Sequence, residues 1–107
     1  MKIKINGLVW KIVFLGSKDD RLVLNGERCL GITEFADRRI YIANDTGGQV
    51  FKETVRHELT HAFLYSSGYD EKLSGGDNVE EAVCEFAERY VPELHRLSRK
   101  IIGKRRR

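Results

Sequence analysis

The sequence predicts an α+β fold: a small antiparallel sheet of about four strands, followed by a long helix and one or two further helices. Three observations point there. Short apolar-polar alternations fill the N-terminal 43 residues, two Asn-Gly pairs punctuate them, and from residue 47 onward apolar side chains recur at helical spacing.

Lys2 to Ile5 and Leu8 to Leu15 flank Asn6-Gly7, a two-residue hairpin signal, although a bulge in one long strand would read the same way. Gly16 to Asp20 is a loop, Arg21 to Leu24 a short strand, Asn25-Gly26 a second turn and Cys29 to Phe35 an extended stretch. Ala36-Asp37 then turns the chain into Arg38 to Ala43, where Ile40 and Ile42 alternate with Arg39 and Tyr41. The spacing of Val50, Val55, Leu59, Ala62 and Phe63 predicts a helix over 47–67, with Asn44, Asp45 and Thr46 offering capping side chains and Gly68 a stop. Ser74 to Asn78 is a loop ending in capping residues. Val79, Ala82, Val83, Phe86, Ala87, Tyr90 and Val91 make a second amphipathic helix. Pro92, the only proline, is placed to break or restart it, and Leu94, Leu97 and Ile101 suggest a last helical segment that Gly103 ends.

At 107 residues the chain reads as a single domain, 1–107, with a basic C-terminal tail at 103–107. No secretory signal is expected, and no apolar run approaches the roughly 18 residues of a membrane span. Two cysteines, Cys29 and Cys84, are too few for a disulfide scaffold, so a reducing cytoplasm is the expected compartment and both read as small hydrophobes. The net charge of +3 conceals an asymmetry. Arg96, Arg99, Lys100, Lys104, Arg105, Arg106 and Arg107 are accompanied by no acid, while the rest of the chain holds 12 basic against 16 acidic side chains. Such a segment is a possible nucleic-acid contact. It reads better as a solvated terminus, or one docked on the acidic body, because the body itself is not basic.

The most specific feature is His57-Glu58-Leu59-Thr60-His61, an H-E-x-x-H arrangement. Side chains at i and i+4 share one helix face, so both imidazoles can point at one Zn²⁺. Glu58 lies about 100° round the helix, where it misses the metal but can reach a water held there. Zinc lowers that water's pKa from 15.7 towards about 7, and a neighbouring carboxylate can take its proton during attack on a carbonyl. The histidines fall opposite Val55, Leu59 and Ala62, so one face can pack while the other binds metal.

A catalytic zinc needs three protein ligands. With Val79 at 0°, the apolar stripe of the second helix spans about 300° to 120°, Glu80 falls at about 100° between Ala87 and Val91, and Glu81 and Glu85 fall near 200° and 240° on the solvent side. An inward carboxylate is costly unless paired or metal-bound, which favours Glu80 as the third ligand. A helix rotated by one residue would turn Glu81 inward instead.

The strand Arg39-Ile40-Tyr41-Ile42, the helix carrying His57-Glu58-Leu59-Thr60-His61-Ala62 and the later Glu80-Glu81-Ala82-Val83-Cys84-Glu85-Phe86-Ala87 resemble a minimal gluzincin of the ImmA/IrrE metallopeptidase type, found in phages and integrated elements. The resemblance covers roughly residues 38–92. It implies a zincin-like fold, zinc as cofactor, and Glu80, six residues before Phe86-Ala87, as the third ligand. The position four residues after that ligand is often asparagine in the family and is Cys84 here. It also implies that Arg38 to Ala43 is an edge strand pairing with substrate. Tyr65, Tyr69, Tyr90 and His95 remain open as stabilisers of the tetrahedral intermediate.

The expected function is therefore that of a zinc endopeptidase acting on a protein or peptide substrate, by family analogy a transcriptional repressor. His57, His61 and Glu80 would hold the metal and Glu58 would be the catalytic base. The competing reading is a catalytically silent, zinc-stabilised binding module that engages a protein or nucleic acid.

Overall fold

In the computed structural model, which describes residues 1–75 and 78–105, both Asn-Gly pairs take positive φ: 49° and 81° at Asn6-Gly7, 52° and 79° at Asn25-Gly26. Two consecutive left-handed residues match the twist of a hairpin. The first pair joins β1 (Lys2–Ile5) to β2 (Leu8–Leu15), and the second joins β3 (Val23–Leu24) to β4 (Glu27–Arg28). The short strand expected from Arg21 begins instead as a 3-10 turn, Asp20–Leu22. The Asp19 carboxylate accepts the Arg21 amide at 2.9 Å and pairs with its guanidinium, which folds the chain locally and holds the Asp19 carboxyl down at about 2. Leu22 is thereby turned under the sheet against Leu15 and Ala43.

A third hairpin joins β5 (Gly31–Glu34) to β6 (Arg39–Ala43), and β6 runs parallel to β2, giving the order β1-β2-β6-β5. The four-stranded sheet is mixed, not antiparallel as its alternation suggested. Alternation fixes which face a side chain takes but not the direction of a neighbouring strand. Burial explains the order: Ile40 and Ile42 are fully enclosed and need a strand on each side, whereas Gly31, Thr33 and Glu34 suit a half-covered edge.

One sheet face contributes Ile3, Ile5, Trp10, Ile12, Ile40 and Ile42 to the core, and α1 (Gly48–Ser67) packs on it through Phe51, Val55, Leu59, Ala62 and Phe63. Phe51 fills the place in the apolar stripe that spacing had given to Val50, which is exposed. The expected caps do not close α1. Asp45 instead accepts the amide of Ser17, at 3.0 and 3.1 Å, and its hydroxyl, and the extended Gly47 starts the helix. Gly68, at φ 78°, ends it as expected.

A short helix, α2 (Tyr69–Leu73), buries Tyr69 and was not legible as an element. After it, α3 (Val79–Gly103) runs unbroken through Pro92. Proline removes one N–H and leaves the carbonyl four residues back unbonded. Pro92 is exposed, so that carbonyl meets water, while Phe86 before it and Leu97 and Ile101 after it are anchored in the core. The basic segment is accordingly not a free tail. Through Gly103 it is helix, and the Arg105 guanidinium lies 4.3 Å over the Phe51 ring and donates to the Thr46 carbonyl. Arg106 and Arg107 lie outside the described residues. No helix among the described residues is long and apolar enough to cross a membrane.

Candidate active site

The two faces of α1 divide as its sequence requires. Val55, Leu59 and Ala62 are fully buried, while His57 and His61 are exposed one turn apart, their ring centroids separated by 4.9 Å at an interplanar angle of 77°. Between them Glu58 behaves quite differently. It is one of two polar residues in the described chain that are buried, with 7 % of its surface accessible. Its Oε1 accepts the Thr33 hydroxyl at 2.7 Å, and its Oε2 stands 4.0 Å from His57 Nε2. A buried carboxylate with a fixed donor is held in one orientation, here beside an exposed imidazole.

That orientation depends on β5. A Cβ added at Gly31 would lie 2.7 Å from Glu58 Cγ and 2.8 Å from Thr54 Cγ2, so only glycine lets the strand lie this close to α1. Gly31→Ala should therefore cost about 1–3 kcal/mol, as overpacking does. Chemical denaturation checks it, with Gly16→Ala, which meets nothing within 4 Å, as the control expected to stay within about ±0.5 kcal/mol. Equal stability of the two variants would show that β5 simply moves aside. Neither Gly31 nor Thr33 stood out in the sequence. A glycine inside a strand pattern was the available signal for the first.

β5 is also the free edge on this side of the sheet. The Ala43 amide donates to the Leu30 carbonyl at 2.9 Å, and since bonded pairs alternate along an antiparallel ladder, Ile32 and Glu34 also face β6. The N–H and C=O groups of Gly31 and Thr33 therefore point off the sheet, at the strand positions nearest Glu58. The expectation that Arg38 to Ala43 forms the edge is corrected: β6 is interior, between β2 and β5. Hollows flank His57 on both sides. One, of about 520 Å³, is lined by Cys29, Leu30, Val50, Glu53 and Glu58, and the other, of about 400 Å³, by Arg56, Thr60, His61 and Leu64.

The structure does not gather Glu80 with the histidines. Glu80 and Glu81 are both exposed on the first turn of α3, and among the described residues no three His, Cys, Asp or Glu side chains lie close enough to hold a metal. The apolar stripe is narrower than its periodicity suggested: Val83 and Val91 are about half exposed, so Glu80 beside them is not turned inward. Cys84 is likewise exposed rather than a buried hydrophobe, and Cys29 is half-buried. Glu85, assigned to the solvent side, accepts the Tyr69 hydroxyl at 2.8 Å, a bond that raises the Tyr69 pKa.

None of the four possible stabilisers lines the two hollows. Tyr69 is committed to Glu85. Tyr90 packs on Phe63 and Phe86 and takes a hydrogen bond from Asn6, and His95 sits on the C-terminal half of α3. Tyr65, one turn beyond His61, lies 4.9 Å from Phe35 and edge-on to Trp10. Comparison of the chain with family models, curated proteins and solved structures finds no match.

Proposed function

We propose that the chain is a zincin-like metallopeptidase of the minimal gluzincin type, hydrolysing a protein substrate with water. The observation that carries this reading is the buried Glu58 carboxylate, oriented by Thr33 beside the exposed His57 and at the foot of an open strand edge. The donor set suits zinc: two imidazoles from successive turns of one helix, with an adjacent carboxylate held away by its own hydrogen bond. Bound there, zinc would supply Lewis acidity towards a carbonyl oxygen. Glu58 would take a proton from the attacking water and return it to the departing amine. An extended substrate segment would hydrogen-bond to the free backbone groups of Gly31 and Thr33, and so run beside Glu58. Glu80 is proposed as the third ligand on the family resemblance alone, and a repressor as substrate on the same analogy.

Burial of Glu58 favours an enzyme over a zinc-stabilised binding module, since a structural zinc site has no use for an oriented carboxylate that is not a ligand. Proteolysis of an unfolded protein and of candidate repressors by the zinc-loaded chain, lost on chelation and restored by zinc, tests the proposal. Full zinc binding with no cleavage of any of them would overturn it in favour of the module.

A further inference from the structure

We propose that the opposite edge of the sheet, β1, together with the face of α3 beside it, forms a docking groove for an extended acidic polypeptide segment. This proposal does not rest on the peptidase reading, because β1 and β5 are the two outer strands of the four. The ladder fixes which backbone groups are free. Met1 and Ile12 exchange both of their backbone bonds, at 2.8 and 3.3 Å, so the bonded pairs are Met1 with Ile12, Ile3 with Trp10 and Ile5 with Leu8. Lys2 and Lys4 consequently direct their N–H and C=O groups away from β2, and among the described residues these groups have no backbone partner. That is the hydrogen-bonding pattern to which an added strand pairs.

The edge opens into a groove of about 470 Å³ whose other wall is α3. Ile3 and Leu97 are buried beneath it, and Lys2, Lys4, Arg96 and Lys100 stand around it. Arg96 is neutralised by Glu93 through two bonds of 2.8 Å. Lys2, Lys4 and Lys100 pair with no carboxylate among the described residues, which leaves two uncompensated cations on the free strand edge and a third on the α3 wall facing it. The charge selects the occupant. A second copy of β1 would bring the same lysines into register and be repelled, whereas acidic side chains on alternate positions of an incoming strand would meet opposite charge. Among the described residues no aromatic side chain lines the groove to stack a base, and the free groups are those of a peptide ladder, so a polypeptide fits it better than a nucleic acid. The basic C-terminal segment singled out in the sequence thus contributes one wall of a site that its position along the chain did not reveal.

The probe is a fluorescein-labelled peptide of about eight residues alternating Glu and Thr, a typical strand length, titrated with the full chain and followed by anisotropy. Its Glu-to-Lys counterpart, oligo-dT and a short DNA duplex are run in parallel. The expected result is saturable binding of the acidic peptide that weakens with salt and falls at least about tenfold in the doubly substituted Lys2→Glu, Lys4→Glu variant. Hydrogen exchange at the Lys2 and Lys4 amides should also slow on saturation, which charge attraction alone would not cause. Lys100→Glu, on the opposite wall, should weaken binding without touching the strand. The proposal is overturned if either nucleic acid binds more tightly than the peptide, if the Lys-rich peptide binds as well, or if the substituted chains bind normally. Binding that leaves the Lys2 and Lys4 amides unprotected, or no binding at all, overturns it as well.

Discussion

Glu58→Gln should keep zinc and fold while losing peptide-bond cleavage by about 10²–10⁴-fold, the scale on which a general base contributes. The substitution is chosen for what it preserves. Glutamine has the same shape, and its amide oxygen can accept the Thr33 hydroxyl that now meets Glu58 Oε1 at 2.7 Å, so the side chain should stay on its rotamer. Gly31 leaves no room for a larger shift. The property removed is the capacity to accept a proton. Cleavage rates on an unfolded protein, measured beside zinc stoichiometry and a thermal melt, separate the outcomes. Undiminished cleavage would remove Glu58 from the chemistry, and joint loss of zinc and fold would make it a structural residue.

The histidines and the helix that carries them were legible because a period of 3.6 residues and an i, i+4 pair are local properties. So were both Asn-Gly turns, which need only two residues willing to adopt positive φ. What escaped the sequence was set by residues far apart along the chain. The parallel pairing of β2 with β6 follows from a crossover through residues 16–38 that lays β5 outside β6, and no strand pattern records the direction of its neighbour. The orienting hydroxyl of Thr33 is 25 positions from Glu58, and Gly31 matters only because α1 lies against it. Asp45 would cap α1 on local grounds and is diverted to Ser17 by a loop the sequence could not place beside it. The inward placement of Glu80 was misjudged in a related way: its helix was correctly periodic, but α3 leaves Val83 and Val91 uncovered, so the angular stripe overstated what is buried.

His57→Ala and His61→Ala should each weaken zinc binding by more than the roughly 10–100-fold that loss of an outer-sphere partner costs, because each removes a ligand outright. Both side chains lie on the exposed face of α1, away from Val55, Leu59 and Ala62, so the metal-free proteins should match the wild type within about ±0.5 kcal/mol. That separation makes stability a readout of binding. At a free zinc concentration 100 times its Kd, the wild type should gain about 2.7 kcal/mol against unfolding, and the two variants should gain little at the same concentration. Competition against a chromophoric chelator gives the affinities directly. The same titration addresses the third ligand. Glu80→Ala should lower affinity as the histidine variants do, while Glu81→Ala, also exposed on the first turn of α3, should leave it unchanged. A loss in Glu81→Ala alone would move the assignment to that residue. Loss in neither would leave a two-histidine site whose remaining ligand comes from elsewhere, and full affinity in both histidine variants would end the zinc reading altogether.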